Sequence, residues 1–297
     1  MSHHNSIAPD LSKQAGVTLI ELMVGIAIGL LTIAVAIGAL MVSRGVSGTV
    51  SDASQIQQQA SYAFRVIGQQ LRQAASIQLN LAVQKVPGTP IEATDVVAFT
   101  PDPSVAFKPG PGITPPIDGK DSPTTGEYKL SVAYQNYTEP SFTSASDVSL
   151  FRDCLGKEPS STKIVSQFFL KDDELRCGGA DHSPANNQSQ PILRNVAEFQ
   201  VRYLVQTGGA TGLPTIQYVD AAGVGADWTR VFGVEVCLVL FGDEPISLPD
   251  GATYNGCDPA AGPINMSNTG TLAANRKNRL HMPFRNVYQL RSQGLAG

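Results

Sequence analysis

The sequence predicts an α+β fold in which a long N-terminal α-helix, first apolar and then amphipathic, packs on a mostly antiparallel β-sheet domain. Three observations predict it. Residues 17–42 are an apolar run with one charge, and from residue 51 apolar side chains recur at steps of three and four. Beyond these lie short alternating segments punctuated by Gly, Asn and Pro. One helix followed by a succession of strands is the order of an α+β domain.

Composition narrows the function classes. The chain has 297 residues, 42% of them hydrophobic, which supplies a real core and excludes a disordered chain. Net charge is −4 with Lys and Arg thinly spread, so no basic footprint for nucleic acid exists. Only 15% of residues are charged, while Gly (28) and Pro (20) abound, pointing to a loop-rich β domain of extracytoplasmic type.

The first element is "VTLIELMVGIAIGLLTIAVAIGALMV", residues 17–42. As a helix it is about 39 Å long, enough to cross a bilayer with some tilt. Its one charge is Glu21. A carboxylate in hydrocarbon loses several kcal/mol of hydration, so it must neutralise, reach the interface or find a cation. Three accounts of the segment compete: a cleaved secretory signal peptide, a plain anchor with Glu21 at headgroup level, and a segment that uses Glu21. The "AVA" at 34–36 could mimic a signal-peptidase site, but the apolar run continues past it. Lys13 on one side and Arg44 on the other barely orient the segment.

The second element, residues 43–82, continues the helix. Ile56, Ala60, Ala63, Phe64, Ile67, Leu71, Ala74 and Ala75 form its apolar face, and its polar face is rich in Gln. Gly45 and Gly48 mark a weak point, so one long helix and two joined helices both remain open.

The rest, residues 83–297, reads as a globular β-rich domain. Residues 86–127 are rich in Pro, Gly, Thr and Asp, interrupted by "DVVAFT", and form a variable loop, either a surface insertion or an interaction loop. Strands are predicted over 128–137, 147–154, 163–177, 193–207, 215–220, 230–242 and 285–292, with a hairpin turning on Lys171 to Glu174. Four cysteines, Cys154, Cys177, Cys237 and Cys257, suit two disulfides in an oxidising compartment, against the alternative of four reduced thiols in a cytosolic protein. Of three connectivities, sequential pairing closes the shortest loops and is favoured, each bond contributing roughly 3 kcal/mol in the loop-entropy model. Oxidised cysteines would put the C-terminal part outside the membrane.

No catalytic signature stands out. The sequence lacks HExxH, GxSxG and the nucleotide-binding GxxxxGK[ST]. Acid clusters occur at Asp118 and Asp121, and at Asp172, Asp173 and Glu174. Calcium could use such oxygens, but neither cluster has the alternation of an EF-hand loop, and solvated turns are the simpler reading. No cofactor or metal is expected. Trp228 and Tyr203 read as core residues.

The stretch "KQAGVTLIELMVGIAIGLL", residues 13–31, resembles the class III signal of type IV prepilins: a polar leader ending in Gly, then an apolar helix with Thr second and Glu fifth. The resemblance implies a leader of residues 1–16, cut between Gly16 and Val17 by prepilin peptidase, and N-methylation of Val17, which stands where Phe is usual. It implies that Glu21 pairs with the N-terminal amine of a neighbouring subunit and sets axial register. Gly38, where major pilins commonly carry a helix-perturbing proline, is then either a perturbation or a close-packing site. Leader removal leaves only His182 and His281 as histidines.

The C-terminal half, "LRNVAEFQVRYLVQT", "ADWTRVFGVEVCLVLF" and "RNVYQLRS", resembles PilW-type minor pilins. This implies a non-enzymatic, type IV pilin-like protein of the tip or initiation complex of a type IV pilus. It would be a single-pass inner-membrane protein with a periplasmic C-terminal domain before it enters the pilus. The implied partners are other minor pilins, the major pilin, prepilin peptidase, the inner-membrane assembly machinery and membrane lipid. A J-type pseudopilin of type II secretion shares the architecture. A membrane-anchored periplasmic enzyme or binding protein is the alternative of a different class.

Overall fold

A computed structural model describes residues 16–76, 79–80, 98–99, 115–124, 127–142, 147–159, 163–179, 188–207 and 215–290. His182, the leader up to residue 15 and most of the 86–127 loop lie outside them. By internal contacts the chain forms two compact units, Met1–Val50 and Ser51–Gly297.

Helix α1 runs Leu19–Gln73, without a break at Gly38, Gly45 or Gly48. It stops short of the expected residue 82. Ala75 adopts a left-handed backbone (φ 59°), and its N–H donates to Ala133 O at 3.1 Å. The Ser76 carbonyl then accepts from Gln135 N–H at 2.9 Å. Pairing with the sheet thus captures a segment whose Ala residues would otherwise continue the helix.

The strands in chain order begin with β1 (Leu79–Asn80), β2 (Ala98–Phe99), β3 (Ile117–Gly119), β4 (Leu130–Gln135) and β5 (Thr138–Glu139). They continue with β6 (Val148–Ser149), β7 (Lys163–Lys171), β8 (Glu174–Gly178), β9 (Gln190–Leu193) and β10 (Val196–Thr207). The last are β11 (Thr215–Val219), β12 (Val231–Phe241), β13 (Thr253–Asn255), β14 (Pro263–Asn265) and β15 (His281–Gln289). A short helix, α2 (Ala221–Val224), follows β11. Two sheets dominate, a five-stranded one ordered β3-β4-β7-β8-β9 and a four-stranded one ordered β11-β10-β12-β15. Every pairing in them is antiparallel.

The hairpin predicted at Lys171–Glu174 is present: Asp172 and Asp173 both take positive φ (52° and 59°), as a two-residue turn between twisted strands requires. The strand predicted over 147–154 contracts to β6. Asp153 Oδ1 accepts the N–H groups of Leu155 and Lys157, both at 2.9 Å, and this side-chain turn replaces ladder bonds. The strand predicted over 285–292 begins earlier, at His281, and ends at Gln289.

In the second unit the core lies between the amphipathic part of α1 and the two sheets. Ile56, Ala60, Ala63, Ile67 and Leu71 are at most 2% exposed and pack with residues such as Phe168, Val201 and Val236. Burying each large aliphatic side chain is worth about 1.5–3 kcal/mol. At Gly68 helix and sheet approach closely: a Cβ there would lie 2.4 Å from the Tyr288 ring, whose hydroxyl donates to Phe64 O at 2.7 Å. Gln70, 2% exposed, fastens the helix to the five-stranded sheet. Its Oε1 accepts from Tyr134 Oη (2.7 Å) and Ser166 Oγ (2.9 Å). Near the start of the unit the buried Asp52 carboxylate accepts Glu244 N–H at 2.9 Å.

The opposite face of the four-stranded sheet carries a smaller apolar cluster of Ala197, Cys237, Val239, Phe241, Tyr254 and Cys257. The disulfides follow the sequential connectivity. Cys154–Cys177 ties the Asp153 turn to β8, and Cys237–Cys257 ties β12 to the segment after β13, with Cα separations of 6.3 and 5.8 Å.

Candidate functional site

The start of α1 joins a charged residue to an uncovered apolar surface. Gly16, Val17 and Thr18 precede the helix in non-regular backbone, all exposed. Thr18 stands immediately before the helix, its carbonyl accepting Leu22 N–H at 3.2 Å as an N-cap residue does, and Glu21 stands three positions on, the T-x-x-E spacing of a capping box. The bonds are reciprocal. Glu21 Oε2 accepts from Thr18 N–H and from Thr18 Oγ1, both at 2.9 Å, while Thr18 Oγ1 accepts Glu21 N–H at 3.3 Å. These bonds satisfy otherwise orphaned donors, and the carboxylate sits at the positive end of the helix dipole. Such a cap is typically worth about 1 kcal/mol.

Sequence patterning offered Glu21 a place at headgroup level or a partner on another chain, and missed this bond within its own. Both bonds to its carboxylate fall on Oε2; among the described residues Oε1 accepts none. The carboxylate can therefore cap its own helix and still present one oxygen to a cation.

From Leu19 to Met41 the helix is long and apolar enough to cross a membrane. Its large side chains are exposed throughout, from Leu19 at 76% to Ile37 at 48%. At Gly25, Gly29 and Gly38 an added Cβ would meet nothing within 4 Å. Gly25 and Gly29 also form a G-x-x-x-G spacing, a legible signal for close helix approach that the sequence reading overlooked.

The acid clusters serve the fold. Asp121 accepts Ala221 N–H and Ala222 N–H at 2.9 Å each and so caps α2, while Asp118 Oδ2 accepts from Tyr128 Oη at 2.6 Å. Asp173 pairs with Arg276 and accepts from Asn275 Nδ2 at 2.6 Å. Partial burial alone would raise its carboxyl, but the hydrogen bonds from Arg276 and Asn275 outweigh that and hold it below its usual value. Glu174 faces Arg176 and Arg194, the former at 2.5 Å. Among the described residues no group of three His, Cys, Asp or Glu side chains is disposed to hold a metal ion.

His281 is 5% exposed, stacked on Tyr254 at 4.4 Å between ring centroids, and burial lowers its pKa. Tyr203 is fully buried and meets Trp228 edge-on at 4.9 Å. Burial, then the charges of Asp118 and Asp121, push its hydroxyl well above the ordinary tyrosine value.

Comparison with known proteins supplies the context. Residues 161–291 match the family model for type IV pilus-assembly protein W, and residues 11–37 match the prokaryotic N-terminal methylation motif. Among solved structures, the chain is similar to a type IV-like pilin from Thermus thermophilus at 16% identity and a TM-score of 0.29. That match covers 57% of this chain and 81% of the other. No curated protein matches the chain.

Proposed function

Because this chain is a type IV pilin of the PilW type with an N-terminal methylation motif, we propose that it is a minor pilin of the tip or priming complex of a type IV pilus. In this reading prepilin peptidase cuts between Gly16 and Val17, the Val17 amine is methylated, and the helix holds the protein in the inner membrane with the disulfide-bearing unit in the periplasm. The helix then leaves lipid for a bundle of pilin helices that includes other minor pilins and the major pilin. The protein works as a structural subunit, without catalysis.

The observation that carries the proposal is the uncovered apolar surface from Leu19 to Met41, which begins at a carboxylate with one oxygen still open. Cleavage would place a new α-amino group at Val17, immediately before the N-cap. With a reference pKa near 8, and basic after methylation, that amine is a cation at neutral pH. Within an apolar bundle it is the natural partner for Glu21 of an adjacent subunit. A mispositioned helix would leave both charges unpaired, at a cost of several kcal/mol, so the pair favours one axial register. Dispersion packing of residues 17–42, helped by close approach at Gly25 and Gly29, supplies most of the association energy.

The PilW match across residues 161–291 favours a pilus subunit over a secretion pseudopilin. Glu21→Ala tests the register role. Pilus number should fall severalfold while the protein stays in the membrane at normal abundance; unchanged piliation would show that Glu21 does not set register.

A further inference from the structure

The two main sheets end in four outer strands, and three of them are protected. Strand β3 is three residues long with Ile117 fully buried, β9 carries Pro191, and β15 carries Pro283 and Arg285. Proline offers no N–H to an incoming strand, and short strands and charges discourage pairing. Strand β11 has none of these devices. Its sequence, Thr215-Ile216-Gln217-Tyr218-Val219, is uncharged, free of proline and composed of residues that favour strands. The first four residues are exposed, with Ile216 at 59% and Tyr218 at 45%, and among the described residues β11 pairs with β10 alone.

We infer that β11 is a strand-addition edge and that its occupant is β11 of a second copy of this chain. The argument for that occupant is self-complementarity. An antiparallel pair centred on Gln217 puts Ile216 opposite the partner's Tyr218, Thr215 opposite the partner's Val219, and Gln217 opposite itself. Every cross-strand pair is then aromatic with β-branched, β-branched with β-branched, or amide with amide, and no like charges meet. Ile216 and Tyr218 lie on one face of the strand, the face where Arg202 sits over the Tyr218 ring at 5.3 Å. A two-fold axis perpendicular to the sheet keeps that face common to both copies, so their apolar side chains cover one another.

The association closes. With β15 guarded, joining two four-stranded sheets at β11 leaves no bare outer strand in either sheet, and the isologous pair cannot propagate. A five-residue edge is a small interface; on the membrane-anchored reading proposed above, on which this point rests, holding both copies in one membrane raises their effective concentration. This inference stands apart from any position at a pilus tip.

The test is cysteine cross-linking of the full chain in the membranes of expressing cells, read by non-reducing electrophoresis. Gln217→Cys places the new thiol at the two-fold axis, and a band at twice the subunit mass is expected. Val287→Cys, exposed on the opposite edge strand, should stay at subunit mass. Adding Tyr218→Lys or Ile216→Lys to Gln217→Cys should abolish the dimer band, with thermal unfolding confirming an intact fold. A Gln217→Cys chain that remains monomeric, or that links to a protein of different mass, overturns the inference. So does a Val287→Cys chain that dimerises equally, or a dimer that persists with both lysines.

Discussion

Between Leu19 and Met41 the large side chains of α1 are 48–76% exposed, whereas Ile56, Ile67 and Leu71 on the same helix are at most 2% exposed. The two stretches belong to one helix and differ in periodicity. The first is apolar on all sides, the pattern of a segment surrounded by lipid or other helices; the second has one apolar face, the pattern of a segment that covers a sheet. The contrast assigns each stretch its energetics. Residues 51–73 stabilise the domain they belong to, and the large apolar side chains from Leu19 to Met41 stand exposed to whatever surrounds the helix.

Mutations can break this division. The largest effect is expected from Ile67→Ala, which opens a cavity between α1 and the sheets and should cost about 2–5 kcal/mol in chemical denaturation. Ile28→Ala removes the same atoms from the apolar stretch and should leave the midpoint of the domain unchanged. Equal effects would mean the two stretches are not energetically separate.

Gln70→Ala comes next. It strips a shared acceptor from Tyr134 and Ser166 in a buried setting, so about 1–3 kcal/mol of stability should be lost. A loss confined to tenths of a kcal/mol in the same denaturation series would show that the network does not fasten the helix.

The smallest effect concerns acid. The Asp173 carboxyl is held below its ordinary value in the fold, so its contribution is present above the unfolded pKa, near 4. It is lost as the pH falls through the folded value. Asp173→Asn should therefore shallow the loss of stability below about pH 4 and leave the slope above pH 5 unchanged. An identical acid limb in both proteins would remove Asp173 from the account.

How far these features were legible depended on the range of the interactions that make them. The apolar run, the amphipathic steps and the hairpin at Asp172-Asp173 are local, and their residues announced them. The capping box is equally local, since Thr18 and Glu21 are three residues apart, but the same carboxylate also fits an intermolecular amine, and that second role masked the first. The helix end at Gln73 was hidden because Ala74 and Ala75 favour a helix; a bond to Ala133, far along the chain, decides otherwise. Likewise the acids at 172–174 read as a solvated turn, and their pairing with Arg276, 103 residues from Asp173, was not legible because the partner is distant in the chain. Strands β13 and β14 are three residues each, too short to show alternation.

The central claim is that the apolar stretch begins, in the working protein, at a newly made amine beside the Thr18–Glu21 cap. Intact-mass and N-terminal peptide spectrometry of the protein purified from its native host tests it most directly. The account predicts a first residue of Val17 with one added methyl group on its nitrogen. A first residue of Met1, or a cut within the apolar run near Ala36, would contradict it.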